Sequence, residues 1–140
     1  MNVLVPIQPG SDIRWVSSFL AELRRTQSIC AHLLSVQPLY NGHVRMFFTP
    51  EQLFAFHTED ARAEAAPLCQ ALDDRDVPYK VHMAVGSSAE EITRFAKEHA
   101  CSRIVIGPGA RASFSDLLFG SIKRQVEALA QAAGLRCEVL

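Results

Sequence analysis

The run Ile104-Val-Ile-Gly-Pro-Gly-Ala-Arg-Ala-Ser-Phe-Ser-Asp-Leu-Leu-Phe-Gly-Ser121 holds the residue types that bind an anion. A β-branched stretch ends at Gly107, small residues including Gly109 and Ala110 follow, and Gly120 stands directly before Ser121 and a new helical pattern. Glycine has no Cβ, so the backbone can approach a ligand closely. The free N–H groups and dipole of a helix start then favour negative charge. Ser121 suits an N-cap, and a capping hydroxyl faces the same amides that an anion would use. Arg111, inside the loop, is placed to neutralise a phosphate, whereas Lys123 and Arg124 read mainly as a solvated face. The loop is neither a Walker loop, since Gly-Lys-Ser/Thr is missing, nor a G-x-G-x-x-G dinucleotide fingerprint.

Other chemistries find little support. Cys30, Cys69, Cys101 and Cys137 are widely spaced, with no C-x-x-C pair and no zinc spacing, and read as small buried hydrophobes in a reducing compartment. The histidines His32, His43, His57, His82 and His99 lack metal spacing and read as satisfied structural or surface residues. Ser11, Ser87 and Ser88 lie in no G-x-S-x-G elbow and have no assignable base.

A chain of 140 residues fits one domain, here 1–140, and is long enough to bury a core. A formal net charge of −1 gives no electrostatic case for nucleic acid or an anionic membrane. No apolar run approaches the roughly 18 residues that span a bilayer. Met1-Asn2-Val3-Leu4-Val5-Pro6 lacks a basic leader and reads as a first strand, so the expected location is cytoplasmic.

The elements that must position the loop alternate. Val3–Ile7 reads as a buried strand, Pro9-Gly10 as a turn, and Ser11 or Asp12 as the cap of a helix with Ile13, Val16, Leu20 and Leu23 on one face. Ile29–Val36 is nearly all apolar, as in a parallel strand covered on both faces. Gln37–Phe48 reads as irregular. Thr49-Pro50-Glu51-Gln52 starts a helix that can run to about Arg75, with Pro67 expected to kink or break it. Val77–Val85 alternates, which places it near an edge. Ser88 and Glu91 have capping-box spacing, Arg103–Ile106 reads as a fourth strand, Ser121–Ala133 as a last helix closed by Gly134, and Cys137–Leu140 as a fifth strand. The aromatics Phe47-Phe48 and Phe54-Phe56 read most simply as core or lid, with an exposed partner patch as the alternative. The order β-α-β-α-β-α-β-α-β implies an α/β fold, an open five-stranded parallel sheet with helices on both faces. Ligands of such sheets sit beyond the carboxyl ends of the strands, the edge from which the loops after Ile7 and Ile106 leave.

Over essentially its whole length the chain resembles a single-domain universal stress protein. Three segments carry the resemblance: the opening strand with its small-residue turn, Val85-Gly86-Ser87-Ser88-Ala89-Glu90-Glu91-Ile92, and the strand and loop from Ile104 to Ser121. The ATP-binding branch of that family has Gly, two residues, Gly, nine residues, Gly, then Ser or Thr. Gly107, Gly120 and Ser121 match this pattern at intact spacing, while Ala110 stands at the second glycine with Gly109 beside it. The resemblance implies a Rossmann-like fold of the adenine nucleotide α-hydrolase type. It also implies that Gly107, Gly120 and Ser121 hold a triphosphate and that Val36, ending the second strand, lies beside adenine. Gln8 stands where ATP-binding members usually carry an acidic residue. It can hydrogen-bond a base or ribose but offers no carboxylate.

The expected function is therefore a stress-related regulator that binds ATP, with Mg, or another adenine nucleotide. The alternative is a nucleotide-free dimeric interaction protein of the same fold, which Ala110 and Gln8 favour. Adenylyl-transfer enzymes are disfavoured, because the chain lacks S-G-G-x-D-S, H-I-G-H and K-M-S-K-S sequences. A homodimer through the uncovered C-terminal strand is expected from its free edge and from the resemblance.

Overall fold

The structure is a computed structural model that describes residues 1–8, 10–110 and 121–140. Its strands are β1 (Asn2–Pro6), β2 (Cys30–Gln37), β3 (Tyr79–Val85), β4 (Arg103–Ile104) and β5 (Glu138–Val139). They form one parallel sheet in the order β3-β2-β1-β4-β5. The helices are α1 (Ile13–Thr26), α2 (Gly42–Phe47), α3 (Pro50–Asp74), α4 (Ser88–Glu98) and α5 (Ile122–Ala132).

The continuous apolar runs of β1 and β2 follow from helices covering both faces. On one face Val3, Val5, Ala31 and Leu33 pack against Val16, Leu20 and Leu23 of α1 and Leu68 and Leu72 of α3. On the other, Leu4, Leu34, Ile104 and Ile106 pack against Ile92, Phe95 and Ala96 of α4 and Ile122 and Val126 of α5. Because β1 leads into α1 on one face and β4 leads into α5 on the opposite face, the connections diverge and open a crevice at the carboxyl ends of β1 and β4.

Local signals set most boundaries. Asp12 caps α1 by accepting the Trp15 N–H at 3.0 Å. Thr49 and Gln52 complete a reciprocal capping box at α3, with Pro50 in the first turn. Beyond α5, Leu135 N–H bonds the Ala130 carbonyl and Gly134 N–H the Gln131 carbonyl, the double bond expected where glycine ends a helix.

Five expectations need correction. Only Cys101 is buried, whereas Cys30, Cys69 and Cys137 are half-buried. The long helix does not break at Pro67. The ring sits on the solvent side, where water can meet the Ala63 carbonyl, while Ala61, Ala65, Leu68 and Leu72 bury the other face. The box at Ser88 and Glu91 does not form: Ser87 is the N-cap without a side-chain bond, and Arg94 takes the Glu91 carboxylate at 2.7 Å. The segment after β2 contains the short helix α2, capped by Asn41. The aromatics of this region are not core, since Phe47 is 68% and Phe54 63% exposed.

Candidate functional site

Two loops meet at the crevice. Ser11 Oγ donates to the Ile106 carbonyl at 3.2 Å, and Asp12 N–H donates to the Pro108 carbonyl at 3.2 Å. The loop after β1 is thereby tied to the loop after β4. Gly109 lies directly on this seam: a Cβ there would stand 2.6 Å from the Gly10 carbonyl oxygen, and its φ of +80° is one that side-chain-bearing residues rarely adopt. Gly107 also has a left-handed φ, +79°, and a Cβ there would press on Val16 and Trp15 of α1 at 3.0 and 3.1 Å. The Gly107 N–H and Ile106 N–H both donate to the Leu140 carbonyl, so the end of β5 anchors the start of the loop.

Ala110 is not among the left-handed residues. It is half-buried and packs on the α4/α5 side together with Val36. The flexibility expected of the second glycine position resides at Gly109. Ser121 caps α5, its hydroxyl accepting the Arg124 N–H at 3.2 Å, which leaves earlier first-turn amides for an anion. Lys123 pairs with Glu127 at 3.9 Å on an exposed face, a contact of little energetic weight. Pro9, Arg111 and Gly120 lie outside the described residues.

Gln8 is buried and lines a cavity of about 150 Å³ on the α1/α3 side, walled by Val5, Ile13, Val16 and Leu68 and edged by Ser11 and Glu64. The structure thus gathers Gln8, Gly10, Ser11, Gly107 and Gly109 around one crevice. Val36 and Ala110 face the opposite layer.

Glu64 was not singled out from the sequence. Its Oε2 accepts from Ser35 Oγ at 2.8 Å and from Gln37 Nε2 at 3.3 Å, and Gln37 Nε2 also donates to Ser35 Oγ at 2.9 Å. Ser35 and Gln37 are buried polar residues at alternate positions of β2, facing α3. Polar residues on the inner face of an otherwise apolar strand were the available signal.

A second polar cluster joins β1, β2, β3 and α4. Asn2 Nδ2 donates to the His99 carbonyl at 2.9 Å, which turns its Oδ1 toward His32 Nε2 at 3.1 Å. His32 Nε2 must therefore carry a proton, and neutral His32 accepts at Nδ1 from His82 Nε2 at 2.9 Å. Burial, then the neighbouring His99, holds the His32 pKa below its usual value. Burial, then His32, lowers that of His82. Phe95 stacks on His99 at 3.8 Å. Three of the five histidines are thus structural, as expected. His57 is the exception to satisfaction: it is buried and stacked on Tyr40, and its Nδ1 has no hydrogen-bond partner among the described residues. No group of three or more His, Cys, Asp or Glu side chains among the described residues is placed to hold a metal ion.

A diverging-loop crevice at the carboxyl edge of a parallel sheet, with a left-handed glycine seam and a capped helix start, defines a Rossmann-like binding fold. The family model for the universal stress protein family matches residues 1–132, and the chain belongs to that family. No curated protein sequence matches it significantly. Solved structures share the fold. A universal stress protein from Archaeoglobus fulgidus in complex with dAMP is 21% identical, with a TM-score of 0.63 covering 100% of this chain and 95% of that one. A universal stress protein in complex with cAMP is 14% identical, with a TM-score of 0.69 covering 100% and 94%. A family protein from Arabidopsis thaliana with AMP bound is 15% identical, with a TM-score of 0.60 covering 100% and 89%.

Proposed function

We propose that this universal stress protein binds an adenine nucleotide at the carboxyl edge of the sheet and works as a stress-related regulator. The observation that carries the reading is the left-handed loop after β4, Gly107 lying against Val16 and Trp15 of α1 and Gly109 against the Gly10 carbonyl, at the same edge as the capped start of α5. The Gly107 N–H is held by the Leu140 carbonyl, so the amides that suit a phosphate are that of exposed Gly109 and those of the first turn of α5. The family members that hold dAMP, cAMP and AMP support the choice of base. ATP is the expected full ligand, its Mg carried on the phosphates. Of the described carboxylates, Asp12 accepts the Trp15 N–H, and Oε2 of Glu64 accepts from Ser35 and Gln37. Arg111, Gly120 and Ser121 complete the phosphate side in this reading and Gln8 the nucleoside side, while Val36 packs in the α4/α5 layer away from Gln8.

Calorimetry with AMP, ADP, ATP with and without Mg, and GTP tests the proposal. Adenine nucleotides should bind with micromolar or weaker affinity and GTP more weakly still. Absence of both heat and thermal shift at millimolar adenine nucleotide would rule it out. One observation favours a second reading, a nucleotide-free interaction protein of the same fold: Met46 and its neighbour Phe47 on α2 are 80% and 68% exposed, and Phe54 on α3 is exposed too, more apolar surface than a solitary chain needs. In either case we propose a homodimer through the outer edge of β5.

A further inference from the structure

The cavity beside Gln8 has a chemistry that the phosphate loop does not supply. At about 150 Å³ it has the volume of about five waters, enough for a small ring and too little for a whole nucleotide. Its walls are apolar, and its polar groups are few: Gln8, Ser11 and Glu64. The Ser11 hydroxyl already donates to the Ile106 carbonyl. Gln8 makes no side-chain hydrogen bond among the described residues and offers both a donor and an acceptor. Glu64 differs from both. Two donors from β2 converge on its Oε2 and fix the carboxylate, while Oε1 has no partner among the described residues. A carboxylate fixed through one oxygen, with the other uncommitted, is an oriented acceptor for O–H or N–H. It also repels phosphate, so the anionic end of a ligand must lie away from it, on the Gly107–Gly109 side.

We propose that Glu64 is a specificity-determining residue for the nucleotide, accepting a hydrogen bond from a sugar hydroxyl seated in the Gln8 cavity. The inference rests on the proposed nucleotide reading and deepens it. The sugar's vicinal hydroxyls each donate and accept, which matches an acceptor-only carboxylate on one side and an amide with both functions on the other. Ser35 and Gln37 act as positioning residues: they hold the carboxylate and touch no ligand. The phosphate loop is then indifferent to the sugar, and the contact between β2 and α3 reads it.

Titration of AMP and 2′,3′-dideoxy-AMP into the full chain and into Glu64→Gln tests this. The variant keeps an oxygen to accept from Ser35 and removes the charge. The wild-type chain should prefer AMP by about tenfold, the worth of one charge-assisted hydrogen bond. Glu64→Gln should lose most of that preference by weakening AMP alone. Equal affinity of the wild-type chain for the two ligands overturns the inference and leaves the nucleotide reading intact. So does an AMP affinity unchanged by the substitution. Failure of the wild-type chain to bind either ligand overturns both. Should Glu64→Gln not fold, Glu64→Asp, which withdraws the carboxylate by one methylene, replaces it and should weaken AMP alone; AMP binding unchanged in that variant overturns the inference.

Discussion

Gly107 and Gly109 share a left-handed backbone for different physical reasons. Gly107 lets the loop lie against Trp15 and Val16, and Gly109 lets it lie against the Gly10 carbonyl. Ala110 does neither. It sits in the packed layer below, half-buried with Val36 and Ala84. Substitutions at the two neighbouring positions should therefore behave differently. Gly109→Ala forces a Cβ to 2.6 Å from a backbone oxygen at an unfavourable φ, and should cost about 2 kcal/mol or more of stability. Ala110→Gly should cost only about 0.5–1 kcal/mol, from added chain entropy and lost packing, and should not weaken nucleotide binding. Urea denaturation of the two variants beside the parent chain measures the contrast. Equal midpoints would mean that the two loops do not touch in solution.

The elements were legible wherever the sequence carried a local signal with one physical meaning. Asp12, the Thr49–Gln52 box and Gly134 mark helix ends as the residues alone suggest. Pro67 misleads because its cost depends on which side of the helix it faces, a tertiary fact. The Ser88–Glu91 spacing misleads because Arg94 competes for the same carboxylate. The histidine cluster was invisible for a related reason: its members lie on β2, β3 and the end of α4, far apart in sequence and joined only by register, His32 beside Lys80 and Leu34 beside His82. That cluster makes stability depend on pH. The folded pKa values of His32 and His82 lie below the unfolded value, so the folded state binds fewer protons there. Their contribution is complete above pH of about 6.5 and falls as acid charges the unfolded chain first. Lys80 beside the cluster deepens the effect, and the hollow next to it is edged by Glu91, Arg94 and Glu98 of α4. Thermal midpoints should drop between pH 7.5 and 5.5, and His82→Gln should flatten that slope. A slope unchanged by the substitution would place the acid sensitivity elsewhere.

At the scale of the whole molecule the sheet ends in β3 on one side and β5 on the other, with no further strand paired to either among the described residues, and the two edges are unlike each other. The β3 edge is long and presents exposed Lys80, a charge that discourages strand addition. The β5 edge is short. Glu138 N–H and Leu140 N–H both turn inward, to the Ser102 and Ile104 carbonyls. By strand alternation Val139 between them turns its N–H outward, where a second copy can pair with it. The candidate site shows the same limit of sequence reading: its glycines announced the phosphate side, whereas Glu64 reaches the crevice from α3 only once the sheet has formed. Deleting the C-terminal strand would be a poor test of dimerisation, because the Leu140 carbonyl also anchors Ile106 and Gly107, so the loop would be damaged with the interface. Val139→Pro is the sharper test. It removes the one outward donor and spares both inward bonds, and proline is tolerated at a strand edge. The side chain of Val139 is only half-buried, so the fold should survive with a modest loss of stability. Sedimentation should show a dimer for the parent chain and a folded monomer for the variant. A monomeric parent chain refutes the dimer, and a variant that remains dimeric moves the interface off β5.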